Sequence, residues 1–175
     1  KELFALMAAS MIIPFQAIMI PLVSIYGSGL NILNHRLTLV FMHTGFAMSM
    51  SVFIYQGFIK SGIPVSLEEA AYLDGCTKVQ TFFKVVFPLL KPTTATLVIL
   101  NVLAFWNDYL LPYLLIGTKY RTIPVAIQYL KSGYGSIDYG HLMAAIVVAL
   151  IPIVVFYFAC QKYIIEGIVD GAVKG

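Results

Sequence analysis

Four apolar stretches, Phe4–Ile25, Leu37–Ile59, Thr93–Ile116 and Leu142–Tyr163, each run for 22 to 24 residues. A helix needs about 20 predominantly apolar residues to cross a hydrocarbon core about 30 Å thick. Every one of the four is long enough. Strand-like alternation is absent, so barrel strands are excluded. Composition agrees: the chain is 60% hydrophobic and 11% charged, with a mean hydropathy of +0.89, outside the usual globular range. The expected fold is all-α, a polytopic membrane helix bundle with four transmembrane helices in this chain. Pro14, Pro21, Pro112 and Pro152 lie within these stretches. Neighbouring helices can satisfy the carbonyls they free, and kinks are the expected result.

Orientation follows from the basic residues. Four crossings put Lys1, Lys60, Lys78, Lys84, Lys91, Lys162 and Lys174 on one side and Arg36, Lys119, Arg121 and Lys131 on the other. The richer side should be cytoplasmic. Both ends of the chain and the segment Ser66–Pro88 then face the cytoplasm, and the loops Gly27–Arg36 and Gly117–Gly140 face out. The net charge of +3 needs no nucleic-acid partner, because most bases flank membrane ends. The chain begins at Lys1, without an initiator methionine or a signal peptide, and reads as a fragment whose N-terminal part is missing. Cys76 and Cys160 lack metal-ligand spacing and are expected as free thiols in a reducing compartment.

Residues 66–88, SLEEAAYLDGCTKVQTFFKVVFP, are the one sizeable polar interruption with repeated helix-start signals. Ser66 with Glu69 reads as one capping box and Thr77 with Gln80 as another. Asp74-Gly75 lies between, where a glycine can stop the first helix in the left-handed conformation. Two short helices joined by a tight turn are expected. Ala70 and Ala71 are small enough for another surface to approach closely. Val79, Phe82, Phe83 and Val86 recur at i, i+3, i+4 and i+7, an apolar stripe. Such a hairpin can insert into a groove on a partner or simply rest on the bilayer interface. Glu69 reads equally as a capping residue.

These residues carry a family resemblance. Glu69-Ala70-Ala71, three residues, Gly75, nine residues and Val85-Val86-Phe87-Pro88 resemble the EAA motif of binding-protein-dependent ABC importer permeases, written EAA, three residues, G, nine residues, I-x-L-P. Val85 and Phe87 depart from it conservatively. Phe105-Trp106-Asn107-Asp108-Tyr109, the tail Gly171–Gly175, Ile13-Pro14 and Ile20-Pro21-Leu22 resemble the carbohydrate-uptake branch, especially the second permease subunit of maltose-type transporters. The resemblance implies a single permease domain over 1–175, with a cytoplasmic coupling loop at 60–91 and a six-helix parent whose first two helices are absent here. It implies docking of an ATP-binding cassette ATPase dimer on Glu69, Ala70, Ala71, Gly75, Val79, Phe82, Phe83 and Pro88. It further implies a second permease subunit, an extracytoplasmic solute-binding protein and a sugar or polyol substrate, in the inner membrane of a prokaryote.

The chain has no G-x-x-x-x-G-K-[ST] loop, so ATP hydrolysis belongs to a separate chain. No catalytic constellation, metal cluster or cofactor site is visible, and an enzyme is not expected. A channel or ion-coupled carrier with the hairpin as an interfacial elbow is the alternative. Candidates for the translocation path sit in the third stretch. Asn101, Ala104, Phe105 and Asp108 share a helical face, and Asn107 and Trp106 neighbour it. At 1.5 Å per residue Asp108 lies about 22 Å beyond Thr93, in the outer third of the core. An ionisable residue there either lines the path or ties helices together. Trp106, Tyr109 and Tyr113 form an aromatic face, read first as an interfacial belt and second as sugar-stacking rings. His43, about 9 Å inside the second stretch, reads as an interhelical hydrogen-bond donor. Gly45 and Ser49 read as a small-residue packing pair, and Thr122–Lys131 as a short amphipathic helix.

Overall fold

The computed structural model describes residues 2–117, 119–131 and 138–173, with side chains described as far as 162 except at 131. All regular structure among the described residues is helical. The order is α1 (Glu2–Ser10), α2 (Phe15–Ser24) ending in a π turn (Ile25–Gly29), α3 (Arg36–Gly62), α4 (Val65–Leu73), α5 (Lys78–Thr81), a second π turn (Phe82–Val86), α6 (Phe87–Leu89), α7 (Lys91–Asn107), α8 (Leu110–Ile116), α9 (Ile123–Lys131) and α10 (Tyr139–Val173). The positions Lys1, Lys174 and Gly175, and the stretch 132–137 of the Gly117–Gly140 loop, lie outside the described residues.

Two of the expected spans form single helices, α3 and α10. Arg36–Gly62 and Tyr139–Lys162 are each long and apolar enough to cross a membrane, with mean hydropathies of 1.7 and 2.8. Only 11% and 6% of their most apolar windows are buried within the chain. Met143, Val147, Leu150, Val154 and Phe158 on α10 are all exposed. A helix apolar on all sides must be covered by lipid or by other helices.

The other two expected spans are broken, and proline dictates where. Pro14 has no N–H to give the carbonyl of Ser10, and α1 ends at Ser10. Pro14 itself is extended (φ −66°, ψ 137°) and opens α2. Phe4–Ile25 is therefore two helices, not one. In the same way Pro112 cannot bond the carbonyl of Asp108, and the helix opens at Asp108–Tyr109 between α7 and α8. Thr93–Ile116 is likewise not one continuous helix. Pro21 and Pro152 stay inside α2 and α10. The rule is thus strong but not universal.

The chain divides into two compact units. One gathers Lys1–Met11, Met48–Leu100 and Cys160–Gly175. Its core is Ile63, Val86 and Leu90, with Tyr55, Phe58 and Ile59 packed around it. Here Ser10 and Ser49 hydroxyls lie 3.0 Å apart, and Phe4 stacks on Phe53. Ser49 thus meets another element, whereas a Cβ on Gly45 would meet nothing within 4 Å, so Gly45 marks no packing contact within the chain. The other unit gathers Ile12–Ala47 and Asn101–Ala159. Its core is Leu22, Met42, Leu111, Leu115 and Ile116. The turn into α3 is pinned to that core, since Asn34 N–H donates to the Leu115 carbonyl at 2.7 Å and Thr38 Oγ1 to the Ile32 carbonyl at 2.6 Å. Asn31 and Asn34 take left-handed φ of 53° and 63°, a conformation asparagine tolerates better than most residues.

At the start of α10, Asp138 caps the helix. Its Oδ1 accepts from the backbone N–H groups of Gly140 (2.9 Å) and His141 (3.2 Å), and its Oδ2 lies 2.6 Å from His141 Nδ1. The side-chain hydrogen bond from His141, then the one from its backbone, hold the Asp138 carboxyl below the usual carboxylate range.

Candidate functional site

The hairpin α4–α5 is built around one turn. The N–H of Gly75 donates to the Tyr72 carbonyl and that of Cys76 to the Ala71 carbonyl, both at 3.0 Å. This paired arrangement, 5→2 and 6→1, is a Schellman motif and needs a left-handed residue at the position Gly75 fills. Gly75 has φ +80°. Nothing stands within 4 Å of where its Cβ would be, so backbone handedness and not space excludes side chains here.

Thr77 then starts α5. Its Oγ1 accepts from Gln80 N–H at 3.3 Å and its own N–H donates to Gln80 Oε1 at 2.9 Å, the full reciprocal capping box. The other expected box is absent. Pro64, extended at φ −63° and ψ 134°, is the N-cap of α4, and no side chain caps that end. Helix α4 starts at Val65, so Ser66 falls inside it and Glu69 has no cap to complete.

The apolar stripe is also split. The π turn Phe82–Val86 closes i→i+5 bonds in place of i→i+4, so it breaks the α-helical phase. Val86 is 4% exposed and packs with Ile63 and Leu90, whereas Val79 and Phe83 are more than 60% exposed. Phe82, Phe83 and Phe87 contact one another at 5.1 to 6.2 Å between ring centres. Ala71 is buried and Ala70 exposed; Pro88 is exposed.

Between the two arms lies a groove of about 850 Å³. Helix α4 supplies Val65, Glu68, Glu69, Tyr72 and Leu73; the other arm supplies Lys78, Thr81, Phe82 and Val86, and Ile59 of α3 closes it. Tyr72 and Leu73 are 73% and 85% exposed. Apolar walls with Glu68 and Glu69 at one side suit an amphipathic surface that brings its own positive charge.

The path candidates are placed differently. Helix α7 ends at Asn107, so Asp108 leaves the face it was expected to share with Asn101, Ala104 and Phe105. Its Oδ2 lies 2.9 Å from His43 Nε2 on α3. Phe105 stacks on the His43 ring at 4.4 Å and 18°. The other oxygen, Oδ1, accepts from Leu111 N–H at 3.4 Å, at the start of α8. One carboxylate thus holds the α7–α8 break to α3. Asn107 turns its amide back on its own helix, donating to the Leu103 carbonyl at 2.8 Å. Asn101 and Trp106 are half-buried. Tyr109 stacks on Tyr113 at 5.5 Å, and Tyr129 of α9, unmarked in the sequence reading, joins them at 6.5 Å under the Arg121 guanidinium. Cys76 and Cys160 are free thiols. No group of three or more His, Cys, Asp or Glu that could hold a metal occurs among the described residues.

Residues 3–169 match the family described as binding-protein-dependent transport system inner membrane component. The chain belongs to that family. It is 43% identical over 98% of its length to the "probable starch degradation products transport system permease protein AmyC" of Thermoanaerobacterium thermosulfurigenes, covering 62% of that protein. It is 40% identical to the "multiple sugar-binding transport system permease protein MsmG" of Streptococcus mutans, over 98% of this chain and 62% of the relative. It is also 40% identical to the "melibiose/raffinose/stachyose import permease protein MelC" of Bacillus subtilis, over 100% and 63%. The chain therefore spans about three fifths of the length of these curated relatives. No solved structure matches it.

Proposed function

We propose that the chain is the membrane-spanning part of a permease subunit in an ATP-driven, binding-protein-dependent importer of sugars or related polyols. The observation that supports this is the exposed groove of α4 and α5, walled by Glu69 of the EAA-like motif, whose two arms are joined by the left-handed turn at Gly75. An ATP-binding cassette ATPase dimer would dock there, on the cytoplasmic side, and supply the hydrolysis this chain has no loop for. A second permease subunit would complete the path and cover apolar surface on α3 and α10. An extracytoplasmic solute-binding protein would deliver the sugar. Closure of the ATPase pair would move the hairpin and rock the helices between inward-facing and outward-facing states. The chain is a transport subunit and not an enzyme. Four crossings, counting each broken pair as one, put both ends of the chain inside. The names of these relatives support oligosaccharides as the substrate class and do not favour the channel or ion-coupled carrier.

For Asp108 the geometry favours the interhelical tie over a free path residue, because both carboxylate oxygens are already engaged. Asn101, Trp106 and Asn107 remain proposed path residues.

Co-purification of an ATPase with the tagged full-length protein, followed by ATP-dependent sugar uptake in proteoliposomes, tests the reading. Ion-driven uptake by the chain alone would overturn it. Orientation is tested by labelling intact cells: a cysteine at Ser28 should react with an impermeant thiol reagent and one at Ser66 should not.

A further inference from the structure

The helix pair Lys78–Leu89 and Lys91–Asn107 is bent by 72°, and Leu90 sits at the bend. Its side chain is 1% exposed and packs with Val86 and Ile63. Its backbone carbonyl receives two hydrogen bonds, from Thr94 N–H and from Thr94 Oγ1, each at 2.8 Å. The Thr94 hydroxyl in turn accepts from the Tyr55 hydroxyl of α3, also at 2.8 Å. A threonine that donates to the carbonyl four residues back tends to bend a helix. Tyr55 donates to the same oxygen whose proton goes to Leu90, and hydrogen bonds linked in a chain polarise and strengthen one another.

We propose that Tyr55 is a positioning residue for transport, acting through Thr94 on the Leu90 carbonyl to fix the angle between the docking hairpin and α7. This rests on the permease reading above. The arm that turns about Leu90 carries Lys78, Thr81, Phe82 and Val86, four walls of the groove. Helix α7 leaves the same point and runs unbroken to Asn107. Displacement of the groove wall therefore passes to α7 through Leu90 to the extent that the angle there is held. With the relay intact the two arms move as a bent lever pivoting against α3. Without it the bend yields, and motion at the groove dissipates there. The neighbouring Thr93 provides an internal contrast: its Oγ1 is buried and has no hydrogen-bond partner.

The test uses the assembled transporter, made with the full-length protein and reconstituted in proteoliposomes, with radiolabelled maltotriose and raffinose as probes. The readout is sugar imported per ATP hydrolysed. Tyr55→Phe and Thr94→Val should each lower this ratio about fivefold, the factor corresponding to one hydrogen bond of about 1 kcal/mol. The double variant should fall no further, because both changes cut one relay. Thr94→Ser should restore the ratio, and Thr93→Val should leave it at the wild-type value. ATPase co-purification should be unchanged throughout, which a merely structural role would not give. A wild-type ratio in Tyr55→Phe, beside an active wild type, overturns the relay alone. Loss of ATPase binding in Tyr55→Phe, or a Thr94→Ser that behaves like Thr94→Val, overturns it too. A wild-type complex with no ATP-driven uptake of either sugar counts instead against the importer reading.

Discussion

The α4–α5 hairpin and the α7–α8 break both gather residues that stand out in the sequence, yet they handle them in opposite ways. At the break, polar side chains are engaged within the chain: Asp108 with the His43 ring and the Leu111 N–H, Asn107 with the Leu103 carbonyl. At the hairpin, internal bonds secure only the turn and one cap, while Tyr72, Leu73, Val79 and Phe83 stand exposed. Polar groups in an apolar surrounding must find partners within the fold, since an unmet one is costly. Exposed apolar side chains carry the opposite signature, a surface that awaits something outside the chain. Engagement at the break fits a structural role, and exposure at the hairpin fits the docking role proposed for it.

The largest effect should come from Gly75. Valine there must hold a left-handed backbone at a cost of at least about 1–2 kcal/mol, and the Schellman turn should open. Gly75→Val should lose uptake and ATPase co-purification while the protein still reaches the membrane. Normal values for both would break the contrast at its hairpin side. The break side is sharpened by a double-mutant cycle. His43→Ala and Asp108→Ala should each lower thermal stability and assembly with the second permease, with a coupling of about 0.6–1.7 kcal/mol, the range for polar contacts between membrane helices. Full additivity in differential scanning fluorimetry would show that the two do not act as a pair. Altered sugar preference in Asp108→Ala with intact assembly would return it to the path. Thr77→Ala removes the capping box and should cost about 1 kcal/mol of local hairpin stability, seen as faster hydrogen exchange at Val79 and Gln80. Protection unchanged from wild type there would assign the stability of α5 to packing.

The smallest effect concerns Asp138. Its carboxyl pKa is depressed in the folded chain, so its support of the α10 start is full above the unfolded pKa and fades as pH falls through the folded value. Asp138→Asn should flatten that acid-side change in amide exchange at Gly140–Leu142. An unaltered pH profile in the variant would deny Asp138 the capping role.

Much of this is legible in the sequence. Helix class, the turn at Gly75, the Thr77 box and the hydrogen-bonding character of His43 each follow from a local rule. The His43–Asp108 pair was half legible: both ionisable residues lie near the outer ends of their spans by helical rise, and equal depth could have paired them. The failures have specific causes. Ser66 lost its cap to Pro64, whose fixed φ sets the helix start. The single span Thr93–Ile116 ignored the hydrogen bond that Pro112 cannot give to Asp108. Tyr129 and the Tyr55–Thr94 relay depend on packing between distant segments, which periodicity does not encode.

The π turn Phe82–Val86 has a consequence for insertions and deletions. A π turn amounts to one residue too many for the helix that contains it, so a chain shortened by one at this point could continue in ordinary α form. Relatives one residue shorter here would then keep the residues on both sides of the gap in their present relative phase, because the π turn absorbs the extra residue. Length variation of one residue at this site would be taken up in the turn itself, leaving both the groove and α7 facing as they do.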